Sequence, residues 1–91
     1  DKALAAAREA VRIRRQTVAA ERGASQPRLA ASLAVLAMVL QMNGRDTEAL
    51  TVAHESESLF APLARRWPDA FRAQWAAIRE VVRSLSSESP H

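Results

Sequence analysis

His54, Glu55 and Glu57 are the side chains best placed to do chemistry, because an imidazole and carboxylates within one helical turn can move protons or bind metal. His54 and Glu57, three residues apart, offer two ligands. A stable metal site takes three or four, and the one other histidine is His91. The trio is therefore expected to be a polar helix face with no metal. No nucleophile elbow, phosphate-cradling glycine loop or inward pair of carboxylates occurs, and cysteine is absent. Neither catalysis nor a cofactor is expected, nor a disulfide framework.

A second constellation suits binding. Arg8, Arg12, Arg15 and Arg22 fall on one face of a helix, with Arg14 nearby, and such a stripe can meet phosphates or an acidic partner. The net charge of +3 comes from this end: residues 1–28 hold seven basic and three acidic side chains, residues 29–91 six and seven. No aromatic residue lies among the arginines for base stacking, and no recognition helix adjoins them. Nucleic acid is thus disfavoured, and the stripe reads first as the solvated outer side of a helix.

What positions these residues is a set of four helices, expected near 2–22, 27–42, 46–66 and 69–86, with 87–91 a disordered tail. Ala, Leu and Arg dominate, and no stretch alternates β-branched with polar residues. Gly23 and Asn43-Gly44 are stop signals; Ser25, Asp46 and Asp69 are expected caps. Pro27 is tolerated in a first turn, whereas Pro62 is expected to kink the third helix. The apolar run 29–40 is too short for the roughly 20 residues that cross a bilayer. Carrying Leu29, Leu33, Leu36 and Leu40 on one side and Val35, Met38, Val39 and Met42 on others, the second helix must be central. On the first helix, Ala3, Ala7, Ala10 and Val18 are expected to face inward, with Leu4, Val11 and Ile13 beside them.

The chain also repeats itself. A shift of 46 aligns Lys2-Ala3-Leu4 with Glu48-Ala49-Leu50, Ala7 with Ala53 and Ile13 with Leu59; a shift of 45 aligns Leu33 with Ile78, Leu36 with Val81 and Leu40 with Leu85. Repeats of this length mark solenoids, in which each unit buries its apolar face on the next.

Leu36-Ala37, Leu40, Gly44, Ala49, Ala53 and Ser56 fall at the spacing of the tetratricopeptide (TPR) pattern, and the chain resembles that family over almost its whole length. Glu48-Ala49-Leu50 and Pro68-Asp69-Ala70-Phe71 look like its longer repeats, similar to kinesin-light-chain ones, found in actinobacterial multidomain proteins. The resemblance implies an all-α, right-handed α-solenoid of antiparallel helix pairs. It also implies a cytoplasmic scaffold, not an enzyme, that binds a protein or peptide along a concave groove. Ala31, Ala34, Met38 and Gln41 are the residues that repeat geometry turns toward the groove from helix two, and Arg79 and Arg83 those from helix four. A partly apolar, acidic partner segment fits that set. The alternative is self-association: Leu4, Val11 and Val18 would be exposed on the first helix or covered by a second copy, making a homo-oligomer through the solenoid ends.

Overall fold

A computed structural model describes residues 2–21 and 26–88 of the chain. They form four helices, α1 (Lys2–Glu21), α2 (Gln26–Met42), α3 (Asp46–Arg66) and α4 (Pro68–Glu88), with no strand among the described residues. Gly23, Ser25, Arg22 and the last three residues lie outside the described set. None of the four helices is long and apolar enough to cross a membrane.

The joints follow local chemistry. At the end of α2 the Gly44 N–H donates to the Gln41 carbonyl at 3.0 Å and the Arg45 N–H reaches back to Leu40 at 2.9 Å. These two bonds satisfy carbonyls that the helix end would otherwise leave bare. The motif needs a left-handed residue between them, and Gly44 has φ +75°. A Cβ at Gly44 would meet nothing within 4 Å, so the cost of replacing it is backbone strain alone. Gly44→Val is expected to destabilise the chain by about 1–2 kcal/mol. A thermal melt superimposable on that of the parent would remove the turn assignment.

Two caps differ from expectation. Arg45, not Asp46, holds the N-cap position of α3, with no side-chain capping bond; Asp46 is the first helical residue and acts only through its charge near the helix N-terminus. Likewise α4 starts on Pro68, whose missing N–H needs no partner at that position, and Asp69 follows inside the first turn. Trp67 alone links α3 to α4. Its N–H donates to Leu63 and its carbonyl accepts from Ala70 and Phe71. Pro62 lies within α3, which continues to Arg66. Helix α4 reaches Glu88, two residues into the segment expected as a tail, and the rest of that segment lies outside the described residues.

Helix α2 is the centre. Its only charged side chain is Arg28, and Ala30, Leu33, Ala37 and Leu40 are fully buried. One cluster sets Leu4, Ala7 and Val11 of α1 on Leu29, Leu33 and Leu36 of α2. Another packs Ala30 and Ala37 with Ala53 and Phe60 of α3 and Ile78 of α4. Between α2 and α3 the buried Ser56 hydroxyl donates to the Ala30 carbonyl at 2.8 Å. A polar group without access to water needs such a bond, and this one fixes how the two helices face each other.

On α1 the structure departs from the sequence expectation. Leu4 and Val11, expected beside the inward positions, are buried on α2 together with Ala7, so the self-association alternative loses them as exposed residues, whereas Ala3 and Ala10, expected inward, are exposed. Larger apolar side chains win the one face that another described helix covers, because burying leucine or valine gains more than burying alanine. The Val18 side chain lies outside the described set.

Candidate functional site

Helices α2 and α4 meet along a shallow cleft of about 230 Å³. Its walls are Ala31, Ala34, Val35 and Met38 from α2 and Gln74, Ala77, Ile78 and Val81 from α4, and the Phe60 ring of α3 reaches its floor. The gap exists because three wall residues are alanines, too short to fill the space between two helices. Val35 is 49% exposed and Met38 45%, large apolar side chains held in water at the mouth. No lining residue is charged.

Of the six groove residues named from sequence, Ala31, Ala34 and Met38 line this cleft; Gln41, Arg79 and Arg83 do not. Arg79 turns toward α3, its guanidinium 4.9 Å over the Trp75 ring and its Nε 4.0 Å from Glu57. Arg83 pairs along its own helix with Glu80 at 2.7 Å. The cleft is therefore apolar on both walls, where one basic wall was expected. Val35, Phe60, Gln74, Ala77, Ile78 and Val81 are the lining residues that sequence reasoning did not name. The sequence repeat of 45 or 46 does not point to them, because in the structure each α2 wall residue has its α4 counterpart 43 positions on, 31 with 74, 34 with 77, 35 with 78 and 38 with 81.

The basic stripe of α1 has a different fate. Arg8 pairs with Glu48 at 2.7 Å, and Arg15 grips Glu55 with two hydrogen bonds of 2.5 and 2.8 Å. Arg12 pairs with Glu9 on α1 itself. These three arginines, with Val11 and Leu36, surround a furrow on the side of the molecule where α1 and α3 flank α2. Each has a carboxylate at hand and all three side chains stay exposed, so the stripe is a solvated face whose charges are paired, not an open cationic patch. Arg22 lies outside the described residues.

Arg15 holds the Glu55 carboxyl below its ordinary value of 4.5, chiefly through the hydrogen bonds and against the opposing effect of partial burial. A carboxyl depressed in the folded state adds stability that is fully present above its unfolded pKa and is lost as pH falls through the folded value. Glu55→Gln is expected to cost no more than about 1 kcal/mol at neutral pH, since the pair is well exposed to solvent. The variant should also lose less stability than the parent on acidification below about pH 4.5. Urea melts of both chains across that range are the check, and parallel acid limbs would show that the bridge contributes nothing.

His54 stands with Nδ1 3.8 Å from Glu57, and among the described residues no group of three or more His, Asp or Glu side chains could hold a metal ion. Comparison with protein-family models, with curated proteins and with solved structures finds no match to this chain.

Proposed function

We propose that this chain is a protein-interaction module of the tetratricopeptide kind, a right-handed array of antiparallel helix pairs that holds a partner segment in the α2–α4 cleft. Support for the arrangement comes from two registers. Arg8–Glu48 and Arg15–Glu55 occur in the same order seven residues apart, so α1 and α3 run the same way; the constant offset of 43 across the cleft makes the same case for α2 and α4. Alternate helices running alike is what an arrangement with consecutive ones running opposite would give. That is the order of a helical-pair solenoid.

The observation that carries the binding role is the apolar cleft with Val35 and Met38 exposed at its mouth. Its volume lies below the roughly 300–1,000 Å³ of small-molecule pockets, so it suits the side-chain ridge of another protein better than a metabolite. An amphipathic helix presenting a few aliphatic or aromatic anchors fits such a groove. With both walls uncharged, the acidic character expected of the partner loses its basis, and apolar anchors take its place. The test is a display selection of amphipathic peptides on this chain, counter-screened against Met38→Asp. Selected peptides that bind both forms equally would sink the reading.

A further inference from the structure

The arginines of this chain fall into two sets. Arg8, Arg12, Arg15, Arg45, Arg79 and Arg83 each stand within 4.0 Å of a carboxylate. Arg14, Arg28, Arg65, Arg66 and Arg72 have no such partner among the described residues. Three of those five meet at the turn from α3 to α4: Arg65 and Arg66 close α3, and Arg72 lies in the second turn of α4. Asp69 is the single acid in residues 58–79, so the charge there is left largely uncancelled. Residues 65–70 and Arg72 are all exposed.

Trp67, the link between the two helices, gives the patch an apolar element. It is 49% exposed and still held in place: the Arg66 guanidinium lies 4.8 Å over its ring, and the Phe71 ring stands 6.4 Å away at 63°. The shape of the site selects its occupant. A single-stranded nucleic acid wants a groove that tracks its backbone and an open ring face for a base, but here a guanidinium covers a face and the patch is a protruding turn. A protein partner anchors its best contacts in a desolvated pocket, and no residue from 65 to 72 lines the cleft or the furrow. A lipid surface asks for neither. Its headgroup layer takes up an amphipathic tryptophan on a convex tip, and anionic lipid attracts the unneutralised arginines around it.

From this juxtaposition of an exposed indole with three unpaired guanidiniums we infer that the α3–α4 turn docks on the surface of an anionic membrane. The Trp67 edge enters the headgroup layer together with Arg66, whose cation stays on the ring face, while Arg65 and Arg72 meet lipid phosphates and carboxylates at the sides. Helices α3 and α4 then stand on the bilayer without crossing it. At roughly fivefold in partition for each basic residue near an anionic surface, the three arginines supply about a hundredfold. With one tryptophan and no second anchor the contact is weak and reversible. It is separate from the α2–α4 cleft and does not depend on the cleft's having a ligand.

Co-sedimentation of the chain with lipid vesicles is the test. Vesicles of about 30% phosphatidylserine in phosphatidylcholine are expected to retain the parent about tenfold better than phosphatidylcholine alone. Raising salt from about 0.1 to about 1 M shortens the screening length from about 10 to about 3 Å and should remove most of the difference. Arg65→Gln with Arg66→Gln and Arg72→Gln is expected to lower partition onto the anionic vesicles by about a hundredfold, and Trp67→Ala by about threefold or more. Arg8→Gln with Arg12→Gln and Arg83→Gln removes the same charge from paired sites and should change partition by less than about threefold. All the substituted side chains are exposed, and a circular dichroism melt confirms that each variant folds. Equal retention of the parent on both kinds of vesicle overturns the inference. So do equal losses in the two triple variants, which would make net charge the cause. So does a Trp67→Ala chain that keeps its vesicle binding but no longer binds an oligothymidine or a polyglutamate peptide, which would assign the turn to nucleic acid or to protein.

Discussion

Phe60→Ala is expected to lower folding stability by about 3–5 kcal/mol. Phe60 is 1% exposed and is the largest side chain in the cluster that joins α2, α3 and α4, where its neighbours include Ala30, Ala37 and Ala53. Alanines on rigid helices cannot lean into the space that a lost ring leaves, so most of the cavity would persist and the loss sits toward the upper end of the range. The Phe71 ring, centred 6.4 Å away, would lose an aromatic neighbour as well. A chain of 91 residues has a total stability on the order of 5–14 kcal/mol, so the variant forfeits a large share of it. Urea denaturation should show the midpoint falling by a third or more with the slope unchanged. A drop of less than about 1 kcal/mol would mean that α4 does not pack on α3 as described.

That residue also shows what the sequence made readable. On α3, Ala49, Ala53, Ser56 and Phe60 recur at four- and three-residue spacing, and all four are buried; on α4 the buried Ile78 and Leu85 belong to a stripe of the same rhythm. Leucine, phenylalanine and isoleucine point to the core because much apolar area depends on where they go. Alanine does not. On α1, where Ala3, Ala5, Ala6, Ala7 and Ala10 surround the axis, alanine contributes almost no directional signal; the burial of Leu4 and Val11 set the rotation, and the sequence-based choice of Ala3 and Ala10 failed for that reason.

Arginine misleads in the opposite way, through reach. Arg8 and Arg15 stand on the polar side of α1, and nothing local reveals that Glu48 and Glu55 of α3 lie within their span. The cleft illustrates a third limit. Equivalent positions of a repeat point the same way, but the two walls of a cleft between like-running helices are opposite sides of those helices. Mapping by 45 therefore selected Arg79 and Arg83, while the walls follow an offset of 43; two residues are about 200° of helical rotation, which separates one side of α4 from the other.

Met38→Asp is expected to abolish binding of a cleft-seated peptide, weakening it by at least tenfold at every salt concentration. Met38 stands at the mouth of the cleft with Ala34 and Val35 beside it and Val81 opposite, and its flexible thioether can conform to an incoming side chain. Aspartate removes that apolar contact and sets a charge where a bound ridge would exclude water. No lining residue is cationic, so the buried carboxylate would have no partner and would carry its full desolvation cost. Loss of a buried contact acts on residence time, which salt hardly changes, whereas a rim charge acts on association rate and is screened. Arg83→Glu, outside the cleft and paired with Glu80, is the contrast: it should change affinity by less than about threefold, and only at low salt. Because Met38 is 45% exposed in the free chain, the aspartate should leave the melt within about 1 kcal/mol of the parent, separating lost binding from lost folding. Were Arg83→Glu to abolish binding while Met38→Asp preserved it, the outer side of α4 would be the docking surface and the cleft would not.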